Sequence, residues 1–244
     1  MPKFFVRQDQ IEGGIITLRG DDAFHISRSL RMAKGEHITV CDMQANEYDC
    51  VLRDFLPDVV VAEILSTRKA DTESPVRITL YQALPKGDKL DTIIQKSVEC
   101  GVHEIVLFES ERCVVRSKKE AEDRKNERRN RIALEAAKQS GRGYIPLVKG
   151  TLSFDTAVKE ATRADLCLFC YEGETEATLK LALAKVDAVG SVSIIIGSEG
   201  GFSVNEAALA RERGATSVSL GKRILRTETA APFVLSCLSY VLEL

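Results

Sequence analysis

The sequence contains no run of about 18 apolar residues, so no segment of it is able to cross a membrane as a helix. Its first ten residues, MPKFFVRQDQ, lack the apolar core of a secretory signal. We therefore expect a cytoplasmic protein that is not anchored to a membrane. In that reducing compartment its seven cysteines are expected to be free thiols.

Histidines and paired cysteines are too few for a zinc site. The three histidines are scattered, and Cys167-x-x-Cys170 has zinc-like spacing but no second pair to complete a ligand set. These two cysteines fall within an apolar stretch predicted to be a strand at 166–171, where packing in the core explains them. We expect no metal.

A large excess of one charge is also absent, because 34 Lys and Arg stand against 36 Asp and Glu, a net charge of −2. The distribution is uneven, with twelve basic and five acidic residues between Arg112 and Lys149. A basic segment on an acidic body is typical of a surface that binds phosphates. It is equally typical of a solvated helix face, and a long helix is predicted at 119–140.

The common phosphate-binding motifs are missing. There is no G-x-x-x-x-G-K-[ST] and no G-x-G-x-x-G at the start of a helix, which excludes a P-loop and a dinucleotide fingerprint. What is present is an apolar, β-branched run at 191–196 followed by the turn Gly197-Ser198-Glu199-Gly200-Gly201. Glycines there can adopt backbone angles that a Cβ forbids.

A second loop follows this turn closely. Ser203 and Glu206 form a predicted capping box for a helix at 204–213, and a strand is predicted at 217–220. A charged segment at 221–230 then leads into a last apolar helix. Ligands of α/β sheets bind beyond the carboxyl ends of strands, where both loops lie. These residues alone predict a small-ligand pocket of unspecified kind, or merely a tight turn.

The chain is predicted to form two domains. Residues 1–70 read as short strands with one helix, which favours a small β-barrel of the PUA or OB type that binds RNA in other proteins. Residues 71–75 are a polar linker. Residues 76–244 alternate helices with strands at 77–83, 104–108, 166–171, 192–196 and 217–220, which predicts an α/β domain with an open, mostly parallel sheet.

Polar side chains recur on the helix predicted at 22–30, with Asp21 as its cap. His25, Arg28, Arg31 and Lys34 are spaced three residues apart, which predicts a slanting row on one helix flank. Such a row can meet phosphates or simply face water.

The motif I-G-S-E-G-G-F-S-x-x-E at 196–206, followed by L-G-x-R-I-L-R-T-E-T-A at 220–230, resembles the C-terminal signature of SPOUT methyltransferases. Within them it is similar to the bacterial family that methylates N3 of uridine in 16S ribosomal RNA, which usually has Pro at the position of Ser198. Further matches to that family cover nearly the whole chain. They are His25, Leu30, Arg31, Gly35, 84–89, Gln95, Lys96, Glu99, Gly101, Val102, Gln139, Ser140, Arg142 and Pro146.

The resemblance implies a SPOUT domain with a trefoil knot near its C-terminus, a homodimer and S-adenosylmethionine as methyl donor. It implies 16S ribosomal RNA of the small ribosomal subunit as substrate. The residues that it assigns to the cofactor are Glu172, Ile196, Gly197, Glu199, Gly200, Gly201, Leu220, Gly221, Ile224, Leu225 and Thr227. The final helix is a candidate for the dimer interface or for the core.

Catalytic roles follow from the same resemblance. Arg226 or Arg142 stabilises the negative charge of a deprotonated uridine, and Glu228 or Glu199 accepts its N3 proton. An alternative for Arg226 and Glu228 is an ion pair at a helix start capped by Thr227. The residues expected to contact RNA are His25, Arg28, Arg31, Lys34, Lys86, Arg112 and Arg116. Two other functions stay open: methylation of another rRNA or tRNA nucleoside, and RNA binding without catalysis.

Overall fold

The computed structural model describes residues 1–117, 119–184 and 189–244, with the side chains of 119–121 left out. The chain forms two compact units. The first comprises 1–73 and 137–145, and the second comprises 74–136 and 146–244. The boundary near residue 73 lies within the polar segment predicted as the linker. The return of 137–145 to the first unit differs from the predicted division.

The first unit is built on a six-stranded sheet with the order β1-β4-β5-β6-β3-β2. Its strands are β1 (Lys3–Phe5), β2 (Ile11–Glu12), β3 (Ile15–Arg19), β4 (His37–Cys41), β5 (Asn46–Leu56) and β6 (Val59–Lys69). β1 pairs in parallel with β4, and the other pairs are antiparallel. Alternate residues such as Ile16 and Leu18 are fully buried in its core. Among the described residues the pairing is linear and β1 does not pair with β2, so the predicted closed barrel is not confirmed.

The helix of the first unit differs from its prediction. The α-helix α1 (Asp21–Phe24) continues directly as a π-helical turn, His25–Ser29. Asp21 is the first helical residue and makes no cap hydrogen bond, while the cap position is occupied by Gly20. The helix ends before Arg31, whose φ is +53°. The predicted row with three-residue spacing is therefore broken, because a π turn and a left-handed residue change the direction of successive side chains.

The second unit contains a six-stranded, wholly parallel sheet with the order β12-β10-β11-β7-β8-β9. Its strands are β7 (Arg77–Ala83), β8 (Glu104–Glu109), β9 (Leu147–Ser153), β10 (Leu166–Cys170), β11 (Ser191–Ile196) and β12 (Thr216–Val218). The sequence predicts five of these. It misses β9, an edge strand that contains Lys149 and Gly150 and has an irregular register with β8. The parallel α/β sheet itself agrees with the prediction.

The helices of the second unit alternate with its strands as predicted, but the last one begins at Thr227, inside the segment 221–230 that was predicted to be a loop. They are α2 (Lys89–Glu99), α3 (Lys119–Gln139), α4 (Phe154–Ala161), α5 (Leu179–Leu183), α6 (Val204–Glu212) and α7 (Thr227–Leu242). The capping box of Ser203 and Glu206 is present at α6. Hydroxyl side chains start two others: Ser153 accepts from Thr156, and Thr178 accepts from Leu181. Within the described ranges, no helix is long and apolar enough to cross a membrane.

Four buried phenylalanines join the elements of the second unit. Phe108 lies in β8, Phe154 starts α4, Phe169 lies in β10 and Phe202 follows the glycine turn after β11. The ring centroids of Phe169 and Phe202 are 4.4 Å apart, and Phe202 is 1 % exposed. The glycine turn is thus anchored by the ring that immediately follows it.

Candidate functional site

A cavity of ≈ 530 Å³ lies at the carboxyl ends of β10, β11 and β12, three neighbouring strands. Its volume is typical of pockets for small ligands and cofactors. It is lined by Lys89 at the start of α2 and by the segments 170–172, 196–201, 219–221 and 223–227, with Ala230. All eleven residues expected to hold a cofactor line this cavity. The residues of the two motifs therefore form one contiguous surface, as expected for loops at the carboxyl ends of neighbouring parallel strands.

The glycines of the turn 197–201 are needed for two different reasons. Gly201 has φ +63°, and a Cβ on it would overlap the carboxylate of Glu172. Gly200 and Gly197 avoid positive φ, but an added Cβ would lie 2.9 Å from the Cβ of Arg112 and 3.1 Å from the ring of Phe202, respectively. Only Gly201 uses the backbone freedom of glycine, whereas its neighbours provide room for close packing.

Thr227, the first residue of α7, holds the turn from the other side. Its hydroxyl donates a 2.7 Å hydrogen bond to the carbonyl oxygen of Gly197 and accepts one of 3.0 Å from Nε2 of Gln82. Thr227 is therefore not the cap that one alternative proposed, because Arg226 occupies the cap position without a side-chain cap bond. Gln82, a fully buried amide near the end of β7, was not predicted to belong to the site. The available signal was a polar residue within the buried C-terminal half of β7, Leu80–Ala83.

Lys89 joins two carboxylates at the cavity. Its Nζ lies 2.7 Å from Oε1 of Glu199 and 3.9 Å from Oε2 of Glu228. The backbone N–H of Lys86 also donates to Glu199 at 3.1 Å. Burial raises the pKa of Glu199, but these hydrogen bonds outweigh it and hold that pKa below its usual value. A cation in the first turn of α2 interacts unfavourably with the helix dipole. The position of the Lys89 ammonium therefore depends on its two carboxylate partners. Lys89 was not predicted to be a site residue.

Glu228 and Arg226 differ in their surroundings. Glu228 does not line the cavity, and its Oε2 is buried without a hydrogen bond from any described residue. Arg226 lines the cavity, is exposed and makes no side-chain hydrogen bond or ion pair with the described part of the chain. The ion pair suggested between these two residues is thus not present. Arg226 supplies an available cation at the rim of the cavity.

The loop after β8 contacts the glycine turn 197–201. Arg112 is exposed and donates from Nη1 to the carbonyl oxygen of Gly200 at 3.1 Å. Arg116 donates to the carbonyl oxygens of Ser110 and Glu111, each at 3.1 Å. These two arginines therefore shape the loop, while the side chain of Lys86 is exposed.

The basic segment from Arg112 to Lys149 is largely a set of ion pairs. The pairs are Arg116–Glu109, Arg128–Asp91, Arg129–Glu122, Lys138–Asp22, Arg142–Glu73 and Lys149–Glu104. Arg124, Lys125 and Arg131 are exposed. Lys118 lies outside the described residues. The interpretation as paired helix charges therefore accounts for much of the segment.

Arg142 is engaged by a carboxylate. It is 3 % exposed, its guanidinium is bound to the carboxylate of Glu73, and it lies in the first unit. Arg142 is not among the residues that line the cavity, and its expected catalytic role stays a prediction. The loop around it is fixed by the same partners, since the N–H of Gly143 donates to Glu73 at 2.9 Å.

The remaining residues expected to contact RNA lie on the surface of the first unit. His25, Arg28 and Arg31 are exposed, and the ring of His25 lies edge-on to Phe4 at 6.2 Å. Lys34 is paired with Asp54 at 2.5 Å.

The cysteines pack as the sequence predicts. Cys167 and Cys170 are buried in β10, burial raises the pKa of Cys167 to about 12, and all seven cysteines are free. No cluster of three or more metal-ligating side chains occurs in the residues that the structure describes.

Comparison with known proteins identifies the family. Residues 72–239 match the RNA methyltransferase domain. A protein of Bacillus subtilis named ribosomal RNA small subunit methyltransferase E is 33 % identical over 252 residues, covering 100 % of this chain and 98 % of that protein.

Two crystal structures are similar over almost the full length. A methyltransferase from Legionella pneumophila in complex with bound SAM has a TM-score of 0.85 and 32 % identity, covering 98 % of this chain and 96 % of the other. Ribosomal RNA small subunit methyltransferase E from Neisseria gonorrhoeae, bound to S-adenosyl methionine, has a TM-score of 0.83 and 30 % identity, covering 99 % and 98 %. The chain therefore belongs to the RNA methyltransferase family, in the group of relatives that carry the name ribosomal RNA small subunit methyltransferase E.

Proposed function

We propose that this protein transfers a methyl group from S-adenosylmethionine to N3 of a uridine in the 16S ribosomal RNA of the small ribosomal subunit. The observation that carries the proposal is the cavity at the ends of β10, β11 and β12. Relatives whose names specify ribosomal RNA, and similar structures that contain the methyl donor, support the substrate and the cofactor. The trefoil knot implied by the sequence motifs is part of this proposal.

The cavity fits such a cofactor. Its walls include the segments 196–201 and 219–221, where the glycines at 197, 200, 201 and 221 have no side chain to cover their backbone N–H and C=O groups, which are the groups that read the edge of an adenine. Apolar side chains of Leu220, Ile224 and Leu225 line the same space for the faces of the ring. At Gly201 a Cβ would displace the carboxylate of Glu172, so the absence of a side chain keeps that carboxylate at the wall.

The bound cofactor supplies an electrophilic methyl group on a sulfonium, and no metal is needed for its transfer. The protein's residues have three tasks: to orient the acceptor, to exclude water and to handle the N3 proton. Uridine N3 pairs within a duplex, so the acceptor base must be unpaired or flipped out.

Arg226 is the residue that we assign to the uridine. Its guanidinium is exposed at the cavity and has no partner among the described residues, so it is available to stabilise negative charge on O2 or O4 when N3 loses its proton.

We assign proton acceptance to Glu228 in preference to Glu199. Glu199 is already satisfied by Lys89 and by the N–H of Lys86, which lowers its basicity. Oε2 of Glu228 receives no hydrogen bond from the described residues, although it is buried and lies 3.9 Å from Nζ of Lys89. Glu228 does not line the cavity, so this assignment requires its side chain to turn towards the base when the RNA binds. Replacement of Glu228 by Gln should lower kcat with little change in cofactor affinity, whereas Glu199→Gln should weaken cofactor binding through its turn.

The first experiment is calorimetric titration with S-adenosylmethionine. Gly201→Ala should weaken binding by about tenfold or more, equivalent to about 1.4 kcal/mol, because Cβ enters the cavity wall. Gly214→Ala is the matched control, since Gly214 also has positive φ, at +95°, but an added Cβ meets nothing within 4 Å. Equal affinities of the two variants for S-adenosylmethionine would show that the cofactor does not bind in this cavity.

The second experiment identifies the product. Small ribosomal subunits that lack the modification are incubated with the protein and cofactor, and nucleosides from the 16S RNA are analysed by mass spectrometry. 3-Methyluridine is expected. A different methylated nucleoside would favour the alternative rRNA or tRNA specificity, and RNA binding without cofactor affinity would favour a non-catalytic binding protein.

We also propose a homodimer through α7. Tyr240 is 73 % exposed and Val241 is 47 % exposed on that helix. Contact of such an apolar face with water is unfavourable, so a second copy of the chain that covers it would stabilise the protein. Light scattering should give twice the chain mass, and Tyr240→Glu together with Val241→Glu should give a monomer. An unchanged mass for the double variant would exclude this face as the interface.

A further inference from the structure

Phe24 is a side chain whose position the packing of the first unit does not explain. It lies at the end of α1 and is 64 % exposed, while its neighbours Ala23 and Ile26 are buried. The sheet therefore uses the other faces of this short helix. An aromatic ring of this size, left in water, contributes nothing to the core of the unit.

The surroundings of Phe24 are basic. Residues 23–35 contain Arg28, Arg31 and Lys34 and no acidic residue. Lys34 is neutralised by Asp54 at 2.5 Å. Arg28 and Arg31 are exposed and make no side-chain hydrogen bond or ion pair with the residues that the structure describes. Two unneutralised guanidinium groups therefore accompany the ring.

Two of the nearby carboxylates are already engaged. Asp22 lies 3.3 Å from Nζ of Lys138, and Glu36 accepts a 2.9 Å hydrogen bond from the backbone N–H of Ala33. Asp21, three residues before Phe24, is exposed and has no side-chain hydrogen bond or ion pair with the described residues, so the unpaired positive charge lies on the C-terminal side of the ring, at Arg28 and Arg31. An anionic partner is the occupant that this charge pattern favours.

The backbone at Arg31 supports a binding role. Its φ of +53° is unfavourable for a residue with a Cβ, and glycine or asparagine would adopt it at lower cost. The hydrogen bonds Leu30 N–H to His25 O at 2.8 Å and Met32 N–H to Ile26 O at 3.0 Å maintain this turn. A long cationic side chain is therefore retained at a strained position.

We propose that Phe24 stacks on an unpaired base of the RNA substrate, and that Arg28 and Arg31 bind the phosphates beside that base. The inference rests on the proposed function for its RNA partner. Aromatic rings stack on bases that are free of a duplex, and planar guanidinium groups bind phosphate oxygens through paired N–H donors. A paired base would have its faces covered, so the surface selects single-stranded RNA.

Fluorescence anisotropy with a labelled single-stranded RNA of about 16 nucleotides, and with the same strand annealed to its complement, tests this proposal on the full chain. Phe24→Leu keeps an apolar side chain but removes the aromatic face, and Phe24→Tyr keeps the face. We expect Phe24→Leu to weaken single-strand binding by about 5- to 150-fold, and Phe24→Tyr to bind like the wild type. Thermal unfolding confirms that both variants are folded.

Salt dependence separates the ring from the arginines. Arg28→Gln and Arg31→Asn should each reduce the slope of log affinity against log salt by about 0.7, because each removes one phosphate contact. Phe24→Leu should leave that slope unchanged. Asparagine is chosen at position 31 because it tolerates positive φ.

Three results would overturn the proposal: equal affinity of Phe24→Leu and the wild type, unchanged salt slopes in both arginine variants, and a wild type that does not prefer single-stranded RNA to the duplex. Titration of Phe24→Leu with S-adenosylmethionine keeps the two proposals distinct. If Phe24→Leu binds the cofactor, forms 3-methyluridine and keeps the RNA affinity of the wild type, the stacking proposal is rejected and the methyltransferase proposal stands. If binding of single-stranded RNA depends on Phe24 but the protein has no affinity for S-adenosylmethionine, the methyltransferase proposal is rejected and the stacking proposal stands.

Discussion

The hydroxyl of Thr227 donates a 2.7 Å hydrogen bond to the carbonyl oxygen of Gly197, joining the start of α7 to the turn after β11. Thr227 is 5 % exposed, and Nε2 of Gln82 reaches both partners, at 3.0 Å from Thr227 Oγ1 and 3.4 Å from Gly197 O. Both loops of the cavity thus depend on one buried polar cluster. Such a cluster is stable only while all its members are present.

Thr227→Val should therefore lower the free energy of unfolding by about 1–3 kcal/mol, because it leaves buried polar groups without their hydroxyl partner. It should also weaken cofactor binding by opening the turn. Thr227→Ser is the matched control, since it keeps the hydroxyl. Urea denaturation and calorimetry measure the two effects, and equal values for Val and Ser would show that the bond is unimportant.

Lys89→Met should destabilise the protein in a pH-dependent manner. Lys89 helps to hold the pKa of Glu199 below its usual value, against the burial that raises it. A lowered carboxyl pKa contributes stability above the unfolded pKa of about 4.3, and that contribution is lost as the pH falls. The difference between wild type and Lys89→Met should be present at pH 7 and shrink below about pH 4.3.

Lys89→Arg keeps the charge and serves as the control in the same denaturation series. A destabilisation by Met that is equal at neutral and acidic pH would indicate lost packing of the lysine stem. In that case the link between Lys89 and the ionised carboxylate would be rejected.

The hydrogen bonds of the Glu174 carboxylate, in the loop after β10, should make a second contribution to stability that is lost in acid. Backbone N–H groups of Ala177 and Glu176, then Ser217 and Arg211, lower its pKa to about 2. The stability that this carboxylate contributes should be complete above about pH 4.5 and fall progressively towards pH 2. Glu174→Gln should be less stable than the wild type at neutral pH, and the two should converge in acid. Parallel pH profiles would contradict this assignment.

Ala45→Gly should stabilise the first unit. Ala45 has φ +59°, where an L-residue costs about 1–2 kcal/mol, and glycine removes that cost. Ala33→Gly, at a position without positive φ, should destabilise by up to about 1 kcal/mol through the greater freedom of the unfolded chain. Guanidinium denaturation of both variants tests the sign. A loss of stability at position 45 would show that its neighbours relieve the strain.

Local signals made the cavity predictable from the sequence. The β-branched run before Gly197, the capping box of Ser203 and Glu206 and the strand before Leu220 each lie within a few residues of the groups that they position. Because parallel strands end at one edge of a sheet, recognising these strands was enough to bring their loops together. The structure assembles the predicted loops around one cavity accordingly.

Features that depend on distant contacts were not predictable in this way. Arg142 read as a basic residue near the substrate, but Glu73, far away in sequence, neutralises it. The ammonium of Lys89 gains its role only from Glu199, in the glycine turn, and Glu228, in the first turn of α7. The π-helical turn after Phe24 has no distinct hydrophobic period, so a regular helix was the natural expectation.

The chain enters the second unit at residue 74, returns to the first at 137 and leaves it again at 146. Lys3 illustrates the dependence, since its ammonium lies 3.4 Å from the carbonyl oxygen of Arg142. During synthesis the first unit therefore cannot complete its contacts until about residue 145 has left the ribosome, after α3 has been made. A fragment that ends at residue 73 lacks the segment 137–145 that completes the first unit, and a fragment that begins at residue 74 leaves that segment without the rest of its unit. Both parts of the chain are therefore needed for the first unit to fold.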